Sequence, residues 1–257
     1  MKTIFCIFVL FAFSFAGNLR SEYDIHYGFA ASELGLKNIF GFTATVYPLK
    51  TSKSIGFSTG IEYSSKEKKI SHALLEETQN LIDNEDEEFI FTSRFRDFEE
   101  RLSASVLQIP ILAKYTGELS YASAGLKIGI PLTLEAKINY SELATEGYFP
   151  ETNHTLSDLP FQGFGTYKGE PIEAKFTSDV LFTLAVEYGA RFEFLDKYAV
   201  MMGIFVEHAL NNGFSKEKSP RVERTYDEDD AVFKVNYSWN SWRPWSAGVQ
   251  LKFAFGK

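Results

Sequence analysis

Apolar and polar residues alternate along much of this chain, most clearly over 121–140. Even positions such as Ala124, Leu126, Ile128, Ile130, Leu134 and Ile138 are apolar. Odd positions such as Ser123, Gly125, Lys127, Thr133, Glu135 and Lys137 are small, polar or charged. Successive side chains of a strand point to opposite faces, so this pattern predicts a strand with one apolar and one polar face. It returns over 179–194, where Phe182, Leu184, Val186 and Tyr188 oppose Thr183, Glu187, Gly189 and Arg191. Near the C-terminus Trp245, Val249, Leu251 and Phe253 oppose Ser246, Gly248, Gln250 and Lys252. With weaker copies included, eight strands are predicted at about 23–32, 38–48, 54–65, 101–115, 119–140, 176–194, 197–210 and 243–256. Pro110 and Pro131 fall inside two of them. Proline cannot donate to a ladder, so each predicts a local bulge.

The links between these strands alternate in length. Those at 49–53, 116–118 and 195–196 are short, whereas 66–100, 141–175 and 211–242 are long, and 33–37 is the one short link among the latter set. Short turns therefore share one end, with both termini, and the long loops share the other. Within the first long loop, 74–82 carries a pattern that a helix could use. An even strand number with this asymmetry predicts an all-β, eight-stranded antiparallel up-and-down transmembrane β-barrel over 17–257, its long loops external and both termini periplasmic.

Alternation by itself also fits a soluble barrel with its apolar face turned inward around a ligand. Three features favour the membrane form. The polar face is rich in glycine (Gly28, Gly41, Gly60, Gly125, Gly189, Gly203, Gly248), as suits an eight-stranded interior just wide enough for side chains to fill. That face also carries both signs of charge: Glu62, Lys127, Glu135, Lys137, Glu187, Arg191, Glu207 and Lys252. In a narrow lumen they would have to pair, because an unpaired buried charge is costly. Glu62, Lys127, Glu187, Arg191, Glu207 and Lys252 are taken as a structural lumen network that plugs the barrel. Finally, aromatics gather at strand ends: Tyr23, Tyr115, Phe194, Tyr198, Phe253 and Phe255 at the short-turn end, and Tyr63, Tyr140, Phe176 and Trp245 at the other. Two such belts suit the two interfaces of a bilayer.

Composition adds the address. Phenylalanine and tyrosine number 25 and 13, and aromatics make up 16% of the chain. Residues 1–16 open with Lys2, continue as an uncharged apolar run, and end with Ser14 and Ala16 at a signal-peptidase spacing. They read as a signal peptide. The single cysteine, Cys6, lies within it, so no disulfide is expected in the mature chain. The net charge of −8 argues against nucleic acid as a partner. The expected location is the outer membrane of a Gram-negative bacterium, with outer-membrane lipid and lipopolysaccharide as surroundings. The oligomeric state is left open.

The segment Leu107-Gln-Ile-Pro-Ile-Leu-Ala-Lys-Tyr115 resembles a hallmark of the PorT-like outer-membrane β-barrels of Bacteroidetes, small barrels of the OmpA and OmpX kind. Gly125-Leu-Lys-Ile-Gly-Ile-Pro131 is similar to the strand that follows it there, and Ala247-Gly-Val-Gln-Leu-Lys-Phe-Ala-Phe-Gly256 to that family's closing strand. Gln108 stands where an acid is common. The resemblance covers about 35 residues as motif and implies fold and location. Because a few members are linked to protein secretion, it also implies that role as an alternative.

Candidate chemistry is sparse. His26 falls on the polar face beside Asp24 and reads as a capped lumen residue. His208 falls on the apolar face at outer-leaflet depth, where a lipid A acyl hydrolase would need a Ser–His pair, but no serine spacing marks a partner. His72 and His154 lie in long loops without a ligand set. The acidic runs 83–88 and 227–230 lack the spacing of a calcium loop. No catalytic residue, cofactor or metal is assigned. The expectation is a non-enzymatic barrel, envelope-structural or binding a protein partner through its external loops, with secretion assistance and lipid A modification as alternatives.

Overall fold

The computed structural model describes residues 20–32, 35–47, 55–83, 86–194, 197–215, 222–227, 230–237 and 241–256. The signal peptide expected at 1–16 lies outside them. Five long strands come first: β1 (Arg20–Ser32), β2 (Gly35–Tyr47), β3 (Ile55–Ile82), β4 (Glu88–Thr116) and β5 (Ser120–Asn139). Short strands follow: β6 (Glu142–Phe149), β7 (His154–Leu156), β8 (Gly165–Lys168) and β9 (Ile172–Lys175). Then come β10 (Leu181–Phe194) and β11 (Tyr198–Ala209). After them lie β12 (Phe214–Ser215), β13 (Val222–Asp227), β14 (Asp230–Val235) and β15 (Ser241–Trp242), and β16 (Trp245–Gly256) ends the described chain.

Eight of these strands form a closed antiparallel ring in the order β1, β2, β3, β4, β5, β10, β11, β16. The ring closes through pairs such as Ile25↔Phe253 and Phe29↔Val249 between β1 and β16. This is the eight-stranded up-and-down barrel that the alternation predicts. Closure leaves no free edge in the barrel wall.

The apolar face points outward. Ile25, Phe40, Phe182, Val186, Ile204 and Val249 are all exposed, while Asp24, His26, Glu62, Lys127 and Glu187 are buried between the walls. That orientation excludes the soluble, ligand-filled alternative, in which the same residues would face inward. At the short-turn end Tyr23 stacks on Phe255 at 5.8 Å and Phe194 on Tyr198 at 5.8 Å, so the aromatics expected there do form one band.

The outward face turns from apolar to polar within one rung. Phe40, Tyr63, Leu107 and Ile130 form one row across β2–β5, and Asn38, Ser65, Ser105 and Thr133 form the next. Above these stand Lys69, Arg101 and Lys137.

The proline expectations divide. Next to Pro131 the ladder slips: Val106 pairs with Pro131 and Ser105 with Thr133, leaving Leu132 as an extra residue. This bulge reverses the faces beyond it. Leu134, Ala136 and Ile138 turn inward, and Lys137 turns out to meet Glu173 at 2.6 Å. The assignment of Glu135 and Lys137 to the lumen is therefore corrected. At Pro110 there is no bulge. The β3–β4 ladder skips from Thr59↔Ile111 to Glu62↔Gln108 in unchanged register, which accommodates the missing N–H without a kink.

The largest departure concerns the long links. The segment 66–100 is a hairpin, not a loop, because β3 and β4 stay paired as far as Ile82↔Glu88. Its 74–82 portion is strand rather than helix. β6 adds to β4, and β7 and β8 add to β6. The barrel wall thus continues past the barrel at its long-link end as a sheet, called the external sheet because it lies outside the ring.

Candidate functional site

Many buried ionisable groups converge in the barrel interior. Each arrives on the inward face of its strand through the period-two pattern. Arg191 contacts Glu22 at 2.7 Å, and Glu22 contacts Lys114 at 2.7 Å. Lys114 reaches Asp24 at 3.5 Å, which meets His26 at 3.2 Å. His26 meets Glu62 at 3.3 Å, and Lys127 bridges Glu62 at 2.6 Å and Glu207 at 2.8 Å. Glu207 then pairs with Lys37. A second arm joins Lys252 to Glu187 at 2.6 Å, with Ser123 donating to the same carboxylate at 2.8 Å. Signs alternate along the whole chain of contacts. In this network five cations (Arg191, Lys114, Lys127, Lys37, Lys252) face five carboxylates (Glu22, Asp24, Glu62, Glu207, Glu187), and His26 lies between two of the carboxylates.

Two glycines make this packing possible. A Cβ on Gly41 would collide with the His26 ring and with Glu62, the pair that links the two halves of the network. A Cβ on Gly203 would lie 2.5 Å from the Tyr121 hydroxyl. Tyr121 is fully buried and accepts a hydrogen bond from Gln250 at 3.3 Å. With Met201, Ala199 and Ala254 it fills the inner end of the barrel.

The outer mouth is filled differently. Leu102, Ala104 and Val106 of β4, Leu134 and Ala136 of β5, Leu181 and Ala209 meet Phe214 and Trp242 in one buried cluster. Phe176 packs against it, stacked on Phe214 at 5.3 Å. Between this plug and the charge network lies a cavity of about 10 Å³ bordered by Lys37, Gln108 and Glu207, room for about one water molecule.

Of the six residues assigned to the lumen, all are buried. Glu62, Lys127 and Glu207 come together, as do Glu187 and Lys252. Arg191 touches none of the other five, and its partners are Glu22 and the more exposed Glu193. The alternation also holds Glu22, Lys37 and Lys114 on that face, but Glu22 and Lys37 fall just outside the strand limits read from sequence. His26 sits beside Asp24 as expected.

The upper aromatic belt is smaller than expected. Tyr63 and Trp245 face outward. Tyr140 packs edge-on against Phe95 at 5.2 Å, and Phe176 belongs to the plug. His208 is exposed on the outer wall between Leu184 of β10 and Trp245 of β16, neither of which is a nucleophile or an acid. His72 and His154 are exposed as well. Among the described residues no set of His, Cys, Asp or Glu is arranged to hold a metal ion.

The external sheet has its own core. Phe89, Phe91, Phe95 and Phe98 of β4, Ile138, Leu143 of β6, Phe164, Val222 and Val235 form a buried cluster. Its outer surface is charged. Arg94 donates to both oxygens of Glu146, at 2.9 and 2.7 Å, and to Glu76 at 2.6 Å. The hydrogen bonds to Glu146 and then Glu76 hold the guanidinium above its usual pKa. The hydrogen bond from Lys69 holds Glu99 below the usual carboxylate value.

No protein-family description matches this chain, and no curated protein matches it. Solved structures resemble it, among them the following three. Neisserial surface protein A is 12% identical, with a TM-score of 0.32, over 91% of this chain and 95% of that one. The attachment invasion locus protein of Yersinia pestis, solved with the heparin analogue sucrose octasulfate, is 10% identical, with a TM-score of 0.23, over 91% and 98%. The translocator domain of the autotransporter NalP from Neisseria meningitidis is 12% identical, with a TM-score of 0.25, over 99% and 95%. At this level the likenesses carry no argument about activity, and the barrel rests on its own ladders.

Proposed function

We propose that this protein is a non-conducting outer-membrane barrel that anchors a folded β-sheet above the membrane as a binding surface. The observation that carries the reading is the pairing of an outward apolar wall with a filled interior. Leu184, Val186, Ile204 and Val206 meet solvent on the outside, where only lipid would bury them. A closed barrel satisfies every backbone group of its wall and is one of two structures able to cross a bilayer. Inside, five ion-paired cations and an apolar plug occupy the space through which a solute would pass. Among the described residues the external sheet is the large ordered surface outside the barrel wall.

On this reading the protein is not an enzyme, both termini are periplasmic, and the aromatic band of Tyr23, Tyr198 and Phe255 marks the inner interface. The resemblance of 107–115 to the PorT-like barrels agrees with this location. A lipid A hydrolase is disfavoured by the neighbours of His208. Secretion assistance rests on the resemblance alone.

Reconstitution tests the reading. The purified chain should insert into phospholipid vesicles, where prolonged protease treatment removes the external sheet and leaves the barrel, whereas brief treatment leaves both. A chain that stays soluble without detergent, or that is digested throughout, would rule it out.

A further inference from the structure

Above the barrel β3 has one partner only. Its pairing with β2 stops at Leu36↔Glu67, whereas its pairing with β4 continues to Ile82↔Glu88. Over 68–82 its other edge meets no strand among the described residues. At about 3.3 Å per residue this edge is roughly 50 Å long. Unpaired edges of that length are templates for strand addition, and charged side chains on them usually prevent it.

The charges on this edge are arranged symmetrically. Positions 68–77 read Lys-Lys-Ile-Ser-His-Ala-Leu-Leu-Glu-Glu. If a second copy is laid antiparallel with His72 opposite Ala73, Lys68 falls opposite Glu77 and Lys69 opposite Glu76. Ile70 then falls opposite Leu75. A second copy sets each of these four charges beside one of opposite sign, a match that an unrelated strand would not bring.

The side-chain faces also agree, for a reason internal to the hairpin. A two-fold axis through the sheet requires opposed residues to point the same way. In an unbroken strand Lys69 and Glu76, seven apart, would point to opposite faces. Here the alternation breaks. The ladder passes from His72↔Phe98 to Leu74↔Arg96, skipping Ala73 and Asp97, and Asp97 has φ 50°. Phe95 and Phe98, three apart, consequently share a face with rings 5.4 Å apart. The same break puts Lys69 and Glu76 together on the outer face, 49% and 50% exposed.

We propose that β3 pairs with β3 of a second copy, antiparallel, through 68–77. Each junction then joins two pairs already present, Glu99–Lys69 at 2.6 Å and Glu76–Arg94 at 2.6 Å, into a row of alternating charge. Antiparallel pairing sends the two barrels off in opposite directions along the strands. Barrels in two facing membranes satisfy this arrangement, so the sheet becomes a tether between surfaces bearing the same protein. This last step rests on the membrane reading above, but the pairing itself does not.

The test uses the full chain and two charge-swapped variants, Lys68→Glu with Lys69→Glu, and Glu76→Lys with Glu77→Lys. In detergent the wild type should sediment as a dimer, each variant alone as a monomer, and their equimolar mixture as a dimer again. Recovery in the mixture shows that both variants are folded. A monomeric wild type, unchanged association of either variant, or a mixture that fails to recover would overturn the proposal. Phosphatidylcholine vesicles carrying the wild type should cluster by light scattering. Dimers in detergent without clustering would overturn the tether and leave the pairing.

Discussion

Lys127, on β5, and Glu207, on β11, meet inside the barrel at 2.8 Å, although β10 lies between their strands in the wall. The contact spans the inner face of β10, and Lys127 also holds Glu62 of β3 at 2.6 Å. One ammonium therefore ties three separated strands. Replacing Lys127 by Met leaves two buried carboxylates short of a counterion. Removing one partner of a buried pair costs about 3–5 kcal/mol, and the urea midpoint of refolded protein should fall accordingly. Adding Glu62→Leu removes one stranded charge and should recover part of the loss. A Lys127→Met protein as stable as wild type would mean that the lumen is wetter than its packing implies.

The outward rows allow depth to be measured. Ile204 sits near the middle of β11 and is 60% exposed, whereas Asn38 stands one row above the apolar band. Arginine at the bilayer midplane costs about 2–4 kcal/mol and near an interface about 0–1. Ile204→Arg should therefore destabilise the protein in vesicles by the larger amount and Asn38→Arg by little. Equal effects in urea titrations would contradict the assignment of the band.

Much of this was open to reading from alternation. The inward placement of Glu187, Arg191 and Lys252, and the outward placement of Phe182 and Val249, follow from parity alone. Parity fails where one extra residue enters. The bulge at Leu132 carries no mark except Pro131 beside it, so Glu135 and Lys137 fall on the wrong face when counted from Lys127. The same applies at Ala73 and Asp97, where two strands shift together. The hairpin over 66–100 reads as a loop because its edge and outer face meet solvent, which leaves charged residues on both parities. The core of the external sheet joins Phe95 to Phe164 and Val222, contacts between distant segments that no local pattern records.

Conductance follows from the layered interior. An ion entering the mouth meets the cluster around Trp242, then the paired charges around Lys127. Planar bilayers containing the wild type should show no steady current. Trp242→Ala should also remain closed, because the charged layer below is filled by other side chains, although the lost packing should cost about 3–5 kcal/mol. A stable open level in the wild type would contradict the filled lumen, and one in Trp242→Ala alone would place the barrier entirely in the plug.

The external sheet should come apart before the barrel. Phe164 is nearly fully buried, lies edge-on to Phe89 at 6.0 Å, and covers Gly147, where a Cβ would come within 2.6 Å of its ring. Few barrel residues touch it, so its loss weakens the sheet locally. Phe164→Ala should cost about 3–5 kcal/mol, enough to open a region whose local stability is a fraction of the global value. Brief protease treatment of the folded variant should cut within β6–β8, which the wild type resists. The barrel fragment should keep its folded electrophoretic mobility because its ladders from β1 to β16 are closed without that sheet. If barrel and sheet were lost together, the two would form one cooperative unit, and the external strands would then be part of what holds the wall shut.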